Sequence, residues 1–272
     1  MTPNVRRFES RTGSTPVNAY LVEGPEALVA VDATLTVSGG RGLRERIESF
    51  GKPLAGVLVT HAHPDHYGGL AELDDPPVFA TAGVRDCIRR DDPIKEKILR
   101  PMFGDEWPAE RVFPNRVVAD GERVELGGLG FRVVDLGPGE SPHDSIWMLE
   151  GTSAVFSGDQ AYAHRHAYLA DGFWERWLGH IGRLEGELEP DSTLYPGHGE
   201  PGGLELLAWQ RSYIERFVGA VRGADWSDPL VARERVVAEM RRFLPTEELA
   251  FLMELSVEPL ARELGMVAAA TP

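Results

Sequence analysis

Apolar runs broken by Gly, Pro and Asp recur from Val17 to Gly199: VNAYLVEG, ALVAVDAT, AGVLVTHAH, PVFAT, RVELGGLGFRVVDLG, DSIWMLEG, AVFSGDQ and STLYPGHG. Several are continuously apolar and end on a polar residue, as a strand buried on both faces does when its exit carries function. Helical spacing lies between some of them, notably from Gly42 to Phe50 and in the run after His66. The alternation predicts a layered α/β protein with buried sheets.

Beyond residue 203 the period lengthens. Leu207, Ile214, Phe217, Val218 and Val221 fall on one stripe, which predicts a helix with one buried face over 204–221. Asp228-Pro229 reads as the N-cap and first position of a second helix ending near Phe243. Thr246, Glu247 and Glu248 open a third, which Pro259 is expected to interrupt and Gly265 to end. The expected division is residues 1–203 as the α/β domain and 204–272 as a helical extension packed on it.

Two further segments are ambiguous from pattern alone. The Pro-rich stretch 91–116, with Met102, Phe103 and Trp107 expected at the surface, reads as a lid or substrate wall, or as two packed surface helices. Phe173, Trp174 and Trp177 stand at helical spacing and are expected in the core, with His180 structural on the same helix.

Composition narrows the function classes. A net charge of −15 argues against a nucleic-acid partner. Arg85, Arg89 and Arg90 read as a solvated helix face. The single cysteine, Cys87, excludes an internal disulfide framework and a Cys-rich zinc module, and its apolar neighbours predict a buried side chain. The N-terminal stretch lacks the apolar core of a secretory signal, and no run reaches the ~18 apolar residues of a spanning helix. A cytoplasmic enzyme or binding protein without a membrane partner is expected.

The chemistry concentrates at strand ends. Thr60-His61-Ala62-His63-Pro64-Asp65-His66 follows the strand-like AGVLV and packs imidazoles and a carboxylate into one short loop. Asp32 ends ALVAVD, Asp159 ends AVFSGD, and His198 follows STLYP in YPGHG. Ligands carried on several rigid strands are held more accurately than ligands on one mobile loop.

On these motifs the chain resembles the metallo-β-lactamase superfamily across residues 15–203. The resemblance implies a four-layer αββα sandwich with metals at one edge. It implies that His61 and His63 hold a first ion, that Asp65, His66 and His198 hold a second, and that Asp159 bridges them. Asp32 and Thr60 would orient the ligands. Asp159 stands where β-lactamases of the cysteine-ligand type carry Cys, so the chain looks more like the glyoxalase II and lactonase branches.

The family's remaining ligand to the first ion comes from a Gly-His-Thr-Pro turn. Here the ungapped counterpart is Gly139-Glu140-Ser141-Pro142, which puts Glu140 at that place, with His143 three positions on as the alternative. The implied activity is hydrolysis of an ester, lactone or thioester of a small molecule by water activated between two divalent ions, with Asp65 as the catalytic carboxylate. Zinc is expected; with Glu140 as ligand, iron or manganese is the alternative at the first position. Tyr162, His166 and Tyr168, after the bridging Asp, are the candidate substrate contacts. Two rivals remain: a mononuclear iron enzyme like the superfamily's persulfide dioxygenases, and a non-catalytic metal-binding member. The family's basic glutathione-binding pattern is not recognisable in the tail. The amphipathic tail itself suits a lid or a homodimer contact.

Overall fold

In the computed structural model, which describes residues 4–268, the buried strands divide their apolar side chains between two faces. Strand β2 (Thr15–Glu23) turns Ala19 and Leu21 to one side and Tyr20 and Val22 to the other. Strand β3 (Leu28–Val31) does the same with Leu28 and Ala30 against Val29 and Val31. Alternate side chains of a strand point to opposite faces, so a sheet covered on both sides needs an unbroken apolar run.

These strands belong to a six-stranded sheet in chain order, with β1 (Val5–Thr12), β4 (Leu54–Leu58), β5 (Val78–Thr81) and β6 (Arg116–Val118). β1, β2 and β3 pair antiparallel, and β3 to β6 run parallel. The second sheet has the order β11-β10-β9-β8-β7. Its strands are β7 (Arg123–Leu126), β8 (Leu129–Gly137), β9 (Asp144–Leu149), β10 (Ala154–Tyr162) and β11 (Thr193–His198).

Three hydrophobic clusters separate four layers. Tyr20, Val31, Leu58, Phe131, Trp147 and Phe156 fill the space between the sheets. Leu43 and Ile47 of α1 (Val37–Glu48), and Val84 and Ile88 of α2 (Ala82–Phe103), cover the outer face of the first sheet. The second sheet is covered by α3 (Trp174–Glu187), α4 (Glu205–Gly223), α5 (Pro229–Phe243) and α6 (Ala250–Glu263). These four helices share one cluster with Ile146 and Val155 of the sheet, so the tail is bound into the core behind β10. The αββα expectation matches this arrangement. No helix of the described residues is long and apolar enough to cross a membrane.

Several local expectations need correction. Strand β1 was not legible because it is an edge strand, paired only with β2, whose charged residues reach solvent. The run after His66 forms one short 3₁₀ turn, 68–72, in place of a helix, and another, 64–66, precedes it. Segment 91–116 is not two surface helices: α2 continues through Pro93 and Pro101 to Phe103. Its buried face, Val84, Cys87 and Ile88, is anchored on the sheet, which outweighs the cost of proline inside a helix. Trp107 is fully buried, with its indole N–H donating to Glu96 at 2.6 Å, while Met102 is 59% exposed. Helix α6 likewise runs through Pro259, and it starts at Ala250 after Leu249, whose φ is 59°. Gly265, at φ 71°, lies just past its end as expected. The arginines behave as a solvated face, with Arg85 and Arg90 pairing with the adjacent Asp86 and Asp91.

The buried indole and the exposed thioether make a paired test of this segment. Trp107→Ala is expected to cost about 3–5 kcal/mol in equilibrium urea unfolding, and Met102→Ala within ~0.5 kcal/mol. Equal small losses would place Trp107 outside the core.

Candidate metal centre

Strand exits of both sheets meet at one end of the sandwich, and backbone pairing joins them there. The Ser145 N–H donates to the Thr60 carbonyl at 2.8 Å, and His61 forms an isolated bridge with Asp144. This brings the loop after β4 against the turn between β8 and β9. Strand β10 adds Asp159 at an irregularity in its pairing with β11, next to Gly158 at φ 50°. A Cβ on Gly158 would stand 2.7 Å from Thr60 Oγ1, so only glycine lets the strand pass there.

The result is two adjoining groups: His61, His63, Glu140 and Asp159, and Asp65, His66 and His198. His63 Nδ1 is 3.0 Å from Glu140 Oε2, and His61 Nε2 is 3.6 Å from the same oxygen. Asp159 faces both groups, with Oδ2 at 3.8 Å from His61 Nε2 and 3.1 Å from His198 Nε2, and Oδ1 at 3.5 Å from His66 Nε2. Asp65 Oδ2 lies 3.3 Å from His198 Nε2 and 3.7 Å from His66 Nε2. Donors bound at 2.0–2.1 Å to a tetrahedral ion stand about 3.3 Å from one another. The observed separations scatter around that value.

A metal also answers an otherwise costly deficit. His61 Nε2, His66 Nε2, His198 Nε2, Glu140 Oε2 and Asp159 Oδ1 are buried and lack hydrogen-bond partners among the described residues. An unsatisfied buried polar atom costs about 1–3 kcal/mol. These atoms converge, and the donor set of imidazoles and carboxylates suits a divalent ion.

The opposite nitrogen of each imidazole and the second oxygen of Glu140 are fixed. Thr60 Oγ1 donates to Asp32 Oδ2 at 2.8 Å and stands 2.9 Å from His61 Nδ1. His66 Nδ1 is 2.8 Å from Asp32 Oδ2, His63 Nε2 is 2.8 Å from Asp171 Oδ2, and His198 Nδ1 is 2.5 Å from the Pro16 carbonyl. Tyr162 donates its hydroxyl to Glu140 Oε1 at 2.7 Å and stacks on His198 at 4.9 Å between centroids. Such partners set the tautomer and the aim of each ring.

Charge follows the same logic among the protein groups themselves. Burial pushes the Glu140 carboxyl up to about 8 against the pull of His63. Burial also opposes ionisation of His198, but Asp159 and Asp65 carry it up to about 10. For His61 burial dominates, aided by His66, and its pKa falls. Burial raises Asp171, yet the hydrogen bond and charge of His63, and then the charge of Lys95, hold its carboxyl below the usual range. A bound cation takes the place of the protons these groups otherwise share.

The structure separates the two candidates of the GPGESPHDS turn. Glu140 is buried at the centre of the first group. His143 turns away, its Nε2 2.7 Å from Asp135 Oδ1 and its ring against Gly83, where a Cβ would meet Cε1 at 2.0 Å. Asp144 shapes the turn by accepting from Glu140 N at 2.7 Å and Ser141 Oγ at 2.6 Å. Below it lies His180, whose Nδ1 a Cβ on Gly139 would meet at 2.4 Å.

A cavity of about 200 Å³ opens beside the cluster, with His63, Asp65, Tyr162 and Tyr168 in its wall. Helix α2 lines it with Lys95, Ile98, Leu99, Met102 and Phe103. Helix α6 faces these with Phe251, Leu252 and Leu255. His166, expected to contact substrate, does not reach it: the ring is buried with Nδ1 2.9 Å from the Tyr213 hydroxyl of α4. The apolar neighbours Ala167 and Leu169 draw that stretch into the core. Asp171, Asp144 and Pro16 escaped the sequence reading. Asp171 and His63 are 108 residues apart, and no local spacing marks the pair.

Loss of an outer partner typically lowers metal affinity about 10–100-fold. Asp171→Asn is expected to fall in that range in competition with a chromophoric chelator, with His143→Ala within about twofold of the parent protein. Full affinity in Asp171→Asn would show that His63 needs no such support.

The comparisons with known proteins agree with this geometry. The family model described as "Metallo-beta-lactamase superfamily" matches residues 12–198. A hydroxyacylglutathione hydrolase of Rhodopseudomonas palustris (strain BisA53) is 30% identical over 181 residues, 66% of this chain and 61% of that protein. The uncharacterized protein YobT of Bacillus subtilis (strain 168) is 28% identical over 154 residues, 53% of this chain and 61% of YobT. The chain thus spans 61% of the length of each of these relatives. A solved β-lactamase domain protein from Burkholderia ambifaria superposes with a TM-score of 0.68 at 24% identity, covering 96% of this chain and 86% of that one. At that identity the likeness is one of fold. With the family model spanning β2 to β11 and the ligand-bearing strand exits, the chain belongs to the metallo-β-lactamase superfamily.

Proposed function

We propose that the chain is a metal-dependent hydrolase that cleaves an ester, lactone or thioester bond of a small organic molecule, with two divalent ions in the paired cluster. The observation that carries this reading is Asp159, whose carboxylate oxygens face imidazoles of both groups at 3.1–3.8 Å. His61, His63 and Glu140 would complete one position, and Asp65, His66 and His198 the other. Two bound ions supply a water of lowered pKa and polarise the carbonyl to be attacked.

The chain's own residues do the rest. Asp65 is both in the cluster and in the cavity wall. Burial opposes its ionisation, but His66 and His198 hold its carboxyl well below the usual range, so it is an anion suited to accept a hydrogen bond from the attacking water and orient it. Tyr168 sits edge-on to His63 at 5.5 Å in the cavity wall. Tyr162 spends its hydroxyl proton on Glu140, so it orients a ligand before it contacts substrate. The relatives named as hydroxyacylglutathione hydrolases support a thioester among the candidate bonds.

One feature favours a second reading. With Glu140, the first position has two histidines and a carboxylate, the set that suits iron with open positions for oxygen chemistry. Elemental analysis of protein purified without added metal separates the two. The hydrolase reading expects two ions per chain and turnover of an ester and thioester panel. Iron alone, with oxygen uptake and no hydrolysis, would overturn it. Asp159→Ala is expected to lose at least one ion and to slow hydrolysis by more than the ~100-fold upper range for an outer-partner loss. Retained stoichiometry and rate would remove Asp159 from its bridging role.

A further inference from the structure

The cavity wall contributed by α2 is one helical face: Lys95, Ile98, Leu99, Met102 and Phe103 follow the i, i+3, i+4, i+7, i+8 spacing. The opposing wall, Phe251, Leu252 and Leu255 of α6, is apolar throughout. Ile98, Met102 and Leu255 are 50%, 59% and 56% exposed, so apolar surface continues out of the cavity onto both lips. Single exposed hydrophobics are ordinary, but an apolar rim around a cavity next to a reactive centre marks a ligand groove.

Lys95 breaks that apolar surface. It is one of three lysines in the chain and the one lysine or arginine among the lining residues. On the same helix, Arg85, Arg90 and Arg100 each pair with a carboxylate. Lys95 has no carboxylate within 4.0 Å among the described residues, although its charge acts on Asp171, the partner of His63. In a protein of net charge −15 an unpaired ammonium at the mouth of an active site is a scarce attractor for an anion.

Resting on the hydrolase reading, we propose that the substrate is an amphiphile. Its apolar acyl or aromatic group, of about six to eight carbons, lies between α2 and α6, and an anionic group on it is held by Lys95. The size follows from the cavity: a site of ~150 Å³ holds benzene, and this one has about 200 Å³. Lys95 and the two apolar walls determine specificity, while the metal-facing residues carry the bond cleavage.

Binding of weakly coordinating probes to the metal-loaded protein tests this by calorimetry, apart from turnover. Octane-1-sulfonate is expected to bind at least tenfold more tightly than 1-octanol and than ethane-1-sulfonate. Lys95→Met is expected to abolish the preference for sulfonate over alcohol and leave octanol affinity unchanged. Leu255→Ser, at a half-exposed position where the folding cost is expected to be small, is expected to weaken both octyl probes at least threefold. Equal affinity for the two octyl probes, or a sulfonate preference that survives in Lys95→Met, overturns the proposal. Probe selectivity without hydrolysis of any ester or thioester would instead overturn the hydrolase reading, so the two failures are told apart.

Discussion

The carboxylate of Asp32 joins the segments on which the centre depends. Its Oδ1 accepts from Thr60 N at 2.9 Å, and its Oδ2 accepts from Thr60 Oγ1 and faces His66 Nδ1, each at 2.8 Å. The exits of β3 and β4 and the turn carrying His66 are therefore tied at one buried side chain. The backbone takes on strain to put it there: Asp32 and Thr34 have φ of 59° and 65°, a region that costs a residue with a Cβ about 1–3 kcal/mol. A second constraint acts from β11, where a Cβ on Gly197 would stand 2.0 Å from Asp159 Oδ1. The ligand carboxylate is packed against bare backbone, so its aim leaves little slack.

This dependence explains which parts of the protein were legible in the sequence. Strands such as ALVAVD and AVFSGD announce themselves because they are buried on both faces and end on a polar residue. His61, His63, Asp65, His66, Asp159 and His198 come together in space as the family resemblance implied. Strand β1 and the outer partner Asp171 did not announce themselves. An edge strand with charged residues has no run to detect, and a hydrogen bond across 108 residues leaves no periodic trace. Proline misled in the opposite direction. At Pro93 and Pro259 the local rule predicts a break, but tertiary packing of α2 and α6 holds the helices continuous.

The same contrast between local pattern and tertiary partner runs through the GPGESPHDS turn. Register alone pointed to Glu140 over His143, and the structure supplies a physical reason. A carboxylate offers two oxygens; one faces the cluster and the other needs a donor, which Tyr162 provides at 2.7 Å. An imidazole at that place would leave the Tyr162 hydroxyl without this acceptor. Glutamate at 140 and tyrosine at 162 are therefore a matched pair, and the tyrosine's stacking on His198 carries the arrangement to the second group. The position that departs from the family's histidine is thus built into the rest of the centre through Tyr162.

The tail completes the centre by a different force. Helices α4 to α6 are held behind the second sheet by apolar burial, with Val236, Met253 and Val257 in the same cluster as Ile146 and Val155. That packing leaves the start of α6 in the wall of the same cavity as the last turns of α2, His63 and Asp65. A wall made from two helix faces, each with its own buried anchor, can change its lining residues without disturbing the ligand strands, which are fixed from the other side by Asp32 and Gly197. Two layers of one fold thereby meet at the cavity: the strand exits hold the charge-rich cluster, and the outer helices supply the apolar wall beside it.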